Sequence, residues 1–263
     1  MAHIPPPQPA PSQGGSGMNV VLMVLGVLGV LGVFCAGGLG VLFYTVFNQA
    51  NASALRARDA NNMAQIAMAM MMYESDHGSL PPAYVTDANG KPLYSWRVLL
   101  LPYLEQNVMY EAWHKDEAWD SPHNMRLSKK VLSSYSTPSS NKLTQPFTNY
   151  VVVQGEETPF QPGGKGIHLR EIRDGLSNTI VVVSLADSDI HWSEPRDLNF
   201  STLPMQINSS ETGGISSKLP NGAHVGFADG SVHFLPDATD STTLRSFLTR
   251  DGGEAVSLNP ASF

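Results

Sequence analysis

The 263-residue chain has little covalent or electrostatic equipment. It holds one cysteine, Cys35, so no intramolecular disulfide can form and a cysteine-rich zinc module is excluded. Only 15% of its residues are charged, and 16 Lys+Arg stand against 23 Asp+Glu, a net charge of −7. Broad binding to nucleic acid phosphates is therefore disfavoured, and nucleic acid is not an expected partner. No Asp, Glu, Lys or Arg occurs before Arg56. The nucleophile-elbow, zinc-helix, phosphate-loop and dinucleotide-binding glycine patterns are all missing. We expect a non-enzymatic protein with no catalytic residue, no metal and no cofactor.

What is present divides the chain in three. Residues 1–17, MAHIPPPQPAPSQGGSG, combine five prolines with a Gly/Ser run and have almost nothing to bury, so a disordered spacer is expected. Met18–Phe47 is an uninterrupted uncharged stretch, longer than the roughly 20 apolar residues a bilayer core requires. It predicts a single transmembrane helix, with the lipid bilayer as partner. Gly32, Ala36 and Gly40 recur every fourth residue, a small-residue stripe that would let two such helices pack as a homo-oligomer. A cleaved leader fits poorly, because no Lys or Arg precedes the stretch and no small-residue cleavage site follows it.

Residues 48–263 then read as one globular domain with a core of its own. Met63, Ile66, Met70, Tyr73 and His77 alternate at spacings of three and four, the stripe of an amphipathic helix ended by Gly78 and Pro81-Pro82. The methionines at 68–72 read as adaptable packing. Tyr150–Val153 and Thr179–Val183 read as strands. In HVGFADGSVHFL, 224–235, the pair Asp229-Gly230 predicts a two-residue type I′ hairpin turn. Phe227 would then face Val232 and Val225 face Phe234, leaving His224 and His233 together on the opposite side. The expected fold class is α+β, with the helix from the membrane packed on an antiparallel sheet.

Polar clusters are sparse. WHKDEAWDSPHN, 113–124, offers His114, Asp116, Glu117, Asp120 and His123 as conceivable metal ligands, though Pro122 interrupts the segment and a capped loop is the plainer reading. His224 with His233, and Asp187 with Asp189 and His191, are further conceivable sites.

Several longer blocks carry a resemblance. MAQIAMAMMMYESDHGSLPPAYVTDANGKPLYSWRVLLLPYLEQ, DEAWDSPHN, IRDGLSNTIVVVS, HWSEPRDLNF and FADGSVHFLP occur in this order across roughly 48–240. The chain resembles the pilin-like planctomycete family called domain of unknown function 1559. That resemblance implies a pilin-like domain outside the cytoplasm and no established activity. The family's prepilin processing motif has no counterpart before or within 18–47, so the span is expected to persist as an anchor. Ala60 and Thr137 stand where members usually carry cysteines, so a disulfide between those positions is absent. Leu219 stands where the family's motif histidine precedes Asp229-Gly230, and Ser184 where an acidic residue often follows the strand.

Together these readings give a single-pass envelope or surface protein with a structural or adhesive role, its partners being the bilayer and other envelope or pilin-like proteins. A ligand- or peptide-binding module on the sheet, and a membrane-anchored hydrolase, are the alternatives. Arg56 and Arg58 after the span favour a cytoplasmic domain by the positive-inside rule. We set the pilin-like resemblance above that two-residue signal and expect the domain to be extracytoplasmic.

Overall fold

The computed structural model describes residues 49–211 and 213–253. The expected tail at 1–17, the span at 18–47 and the stripe Gly32, Ala36 and Gly40 lie outside them. Among the described residues no helix is long and apolar enough to cross a membrane. Residues 52–263 form one compact unit by themselves.

The leading helix, α1, is helical from 49 to 77. Met63, Ile66, Ala67 and Met70 fall on one face and are fully buried, as the 3.6-residue period requires. The stripe leaves the core at its end: Tyr73 is half-buried and His77 exposed, with their rings stacked 4.0 Å apart. The methionine run does not pack as a block. Met70 is buried, whereas Met68 and Met72 lie about half-exposed on the outer face. Gly78 ends the helix at φ +75°, its N–H returning to the Glu74 carbonyl.

A small antiparallel pair follows, β1 (Tyr84–Thr86) with β2 (Pro92–Ser95). Short helices come next: α2 (Trp96–Leu99), α3 (Asn107–Ala112) and α4 (Asn124–Ser128). The main sheet is antiparallel, in the order β3 (Tyr150–Val151), β5 (Ile180–Ser184), β7 (Gly222–Phe227), β8 (Val232–Pro236). Val153–Gln154 (β4) and Leu198–Asn199 (β6) pair in parallel beside it, and α5 (Ser241–Leu248) closes the described fold. The architecture is α+β, as expected.

Both faces of the sheet are covered. On one, α1 lies over β7 at Gly226, where a Cβ would meet Met63 and Ala67 of the helix at 3.4 and 3.5 Å; only Val182 of the paired strand β5, at 2.6 Å, would be too close, and glycine leaves that space free. On the other, Ala223, Val225 and Phe227 pack with Leu244, Phe247 and Leu248 of α5, and the rings of Phe227 and Phe247 meet edge to face at 5.6 Å. Hence β5 and β7 are buried along their whole length.

The hairpin exists, but its expected turn and register do not. Gly230 has φ +87°, while Asp229 is not among the positive-φ residues, so a type I′ turn is excluded. Instead Gly230 N–H donates to the Phe227 carbonyl at 3.0 Å and Phe227 N–H to the Ser231 carbonyl at 2.9 Å. This is a type I turn followed by a left-handed glycine, the three-residue hairpin. Asp229 Oδ1 secures it by accepting from Ser231 N–H and Oγ. The extra loop residue shifts the pairing: Val225 faces His233, His224 faces Phe234 and Gly226 faces Val232. His224 and His233 therefore point to opposite faces, and the two do not form a common site.

The turn makes an asymmetric prediction. Gly230→Val should destabilise the 52–263 unit by about 1–3 kcal/mol through its left-handed backbone. Asp229→Asn should stay within about 0.5 kcal/mol, since an amide oxygen can accept the same two bonds. Urea unfolding reads both, and a wild-type midpoint for Gly230→Val would refute the turn.

Candidate functional site

Asp59 stands in phase with Met63, Ile66 and Met70 on the inward face of α1, yet it is a carboxylate and only 1% exposed. A buried charge of this kind must be partnered. Its Oδ1 accepts from Thr137 Oγ1 at 2.6 Å and from the Tyr150 phenol at 2.7 Å. Its Oδ2 lies 2.7 Å from His224 Nδ1 on β7. Burial pushes the Asp59 carboxyl up, but the bonds from His224, Thr137 and Tyr150 outweigh it and leave its pKa below the ordinary aspartate value. The phenol of Tyr150 is pushed well up by burial and by the neighbouring carboxylate.

Tyr150 belongs to a second network. Its carbonyl accepts from Arg97 Nε at 3.0 Å. Arg97 Nη1 donates to Ser95 Oγ, and Arg97 Nη2 pairs with Asp197, both side chains fully buried. Asp197 also accepts from the Val152 N–H at 3.0 Å and from the Trp96 indole. Burial is the largest influence on Asp197 and pushes its pKa up, against the pull of Arg97, Val152 and Trp96. The Tyr135 hydroxyl donates to the Arg97 carbonyl at 2.7 Å. One tyrosine thus joins two buried carboxylates, drawing together α1, α2, β3, β7 and the loops around 137 and 197.

These groups sit inside the fold, so their chemistry is to hold it. The positions where the resembling family carries cysteines adjoin this network. Beside Ala60, Asp59 bonds Thr137 and Asn62 Nδ2 donates to the Ser136 carbonyl at 3.1 Å, so hydrogen bonds tie α1 to the 133–139 segment. Ser184 Oγ donates to the His224 carbonyl at 3.2 Å. Leu219 is buried.

The other polar clusters are dispersed. Asp187 pairs with Lys218 at 2.7 Å and Asp189 with Arg196 at 3.1 Å, so they do not converge on His191. Ser193 Oγ lies 3.0 Å from His191 Nδ1, but Ser193 is fully buried, out of reach of a substrate carbonyl. Among the described residues no group of three or more His, Cys, Asp or Glu side chains is placed to hold a metal. Asp229 and Gly230 serve the turn described above.

Of the six network residues Asp59, Arg97, Thr137, Tyr150, Asp197 and His224, the sequence offers only His224 as a candidate, and with His233 rather than with Asp59, its partner in the fold. The available signal was an aspartate in register with an apolar helical stripe.

Residues 49–166 match the model of a family described as protein of unknown function (DUF1559), a shorter range than the roughly 48–240 expected from the sequence blocks. It includes Asp59, Arg97, Thr137 and Tyr150. No curated protein and no solved structure matches the chain.

The depressed pKa of Asp59 fixes the sign of a pH effect. Its stabilisation is present in full above the unfolded-state value of about 3.9 and is lost as pH falls through the lower folded-state value. Asp59→Asn should therefore lower the unfolding midpoint at pH 7 and flatten its decline below about pH 4. Parallel acid-unfolding curves for the two proteins would contradict this.

Proposed function

We propose, from the premise that the chain belongs to the DUF1559 family, that it is a membrane-anchored, non-enzymatic pilin-like protein of the cell surface or envelope, with a structural or adhesive role. The observation that carries this reading is the direct succession of an uncharged thirty-residue stretch, 18–47, and a helix running from 49 onto a buried sheet. That succession in sequence suits display of a module close to a bilayer. A second support is chemical. The most deeply buried carboxylates, Asp59 and Asp197, have their oxygens taken up by side chains and backbone of the fold itself. The stripe Gly32, Ala36 and Gly40 would provide self-association in the membrane, and the pilin-like resemblance favours a domain outside the cytoplasm.

The full-length protein should sediment with membranes and resist carbonate extraction. Protease added to cells with a permeabilised outer membrane should degrade the domain. Release by carbonate would refute the anchor, and protection until the inner membrane is lysed would reverse the orientation.

A further inference from the structure

The loop Trp113–Asn124 has a geometry that neither the core nor the proposed role accounts for. Its shape is set by Asn124, which is fully buried. The His114 N–H donates to Asn124 Oδ1 at 3.0 Å, and Asn124 Nδ2 donates to the carbonyls of His114, Ala118 and Glu117. Because His123 adjoins Asn124 in sequence, this grip brings the two histidines together. Their rings lie face to face, with centroids 3.4 Å apart and planes inclined by 6°.

Each ring has one nitrogen engaged. His114 Nδ1 lies 2.9 Å from Glu117 Oε1, and His123 Nε2 lies 2.9 Å from the Ala112 carbonyl. Both partners are acceptors, so the hydrogen-bond geometry assigns the ring protons to those two nitrogens. His114 Nε2 and His123 Nδ1 are left carrying lone pairs, on an exposed ring and a half-buried one in contact. A carboxylate or a carbonyl on the far nitrogen is the arrangement that orients imidazoles as metal ligands and raises their basicity. Here it occurs twice, on adjacent rings.

We propose that His114 and His123 bind a borderline divalent transition ion through His114 Nε2 and His123 Nδ1. Imidazole nitrogen suits Cu2+, Ni2+ and Zn2+, and the order of affinity should place Cu2+ first. The site has two protein ligands, since no larger ligand set is assembled among the described residues. Water completes the coordination sphere, making the site open and exchangeable. Lone pairs lie in the ring planes, so the ion opens the stack as it enters. The exposure of the His114 side chain, 48%, leaves room for that rotation. Glu117 stays on His114 Nδ1 while the backbone grip of Asn124 keeps the loop in place. The inference is independent of the proposed envelope role.

Titration of the full chain in detergent with CuCl2, followed by calorimetry and electron paramagnetic resonance, tests it. The expected result is saturable binding of about one ion per chain with nitrogen splitting from imidazole ligands. His114→Gln and His123→Gln should each weaken binding by about tenfold or more. His77→Gln, at another exposed histidine, should leave the affinity unchanged. Wild-type affinity in the double variant would overturn the proposal. So would a wild-type spectrum without nitrogen splitting, a reading that needs no variant to fold.

Discussion

A carboxylate placed between a helix and a sheet constrains everything around it. Asp59 lies in the same plane of packing as Met63 and Ile66, where water cannot solvate it. An unpaired charge there would cost several kcal/mol. The fold answers by delivering donors from three separate parts of the chain: Thr137 from a loop, Tyr150 from β3 and His224 from β7. These partners lie between 78 and 165 residues away in sequence. They can converge only when helix and sheet are docked in one register. Apolar contacts such as Met63 over Gly226 tolerate small slips; a carboxylate with three directed partners does not.

Tyr150 extends the constraint. Its phenol serves Asp59 while its carbonyl serves Arg97, which in turn is paired with Asp197. The second carboxylate then anchors Val152 and Trp96. Two buried acids therefore organise the helix, the short α2 and the edge strand as a single polar framework, with aliphatic side chains filling the space around it. His224 is also packed against the Phe234 ring, over which Arg56 of α1 lies at 4.7 Å while donating to the Pro220 carbonyl. Arg56 thus holds the hairpin to the helix.

The α+β class, the α1 stripe and the strands near 150 and 180 were legible because period and turn residues carry local information. The hairpin register was not. Asp229-Gly230 suits both a type I′ turn and a type I turn with a left-handed glycine, and alternation was asked to choose between them. Alternation discriminates when one face of a strand meets water. Here α1 and α5 cover opposite faces of β7, so either register buries apolar side chains. The polar framework was hidden for a different reason. Asp59, Tyr150 and His224 are isolated residues in unrelated segments, and only the tertiary fold makes them neighbours. Asp59 leaves a trace as an acid on an apolar stripe, and His224 only as a neighbour of His233 that the hairpin register then separates. The loop at 113–124 was read as held by local hydrogen bonds, and it is, with Asn124 at its centre.

The central claim is that Asp59 and His224 act as a directed pair coupling α1 to β7, rather than as two independently tolerated buried groups. A double-mutant cycle measures this directly. Unfolding free energies of the 52–263 unit would be compared for wild type, Asp59→Asn, His224→Gln and the double variant. Direct coupling predicts that the double variant is less destabilised than the sum of the two singles, by about 1–3 kcal/mol. Additivity within about 0.5 kcal/mol would show that the contact does not lock helix to sheet.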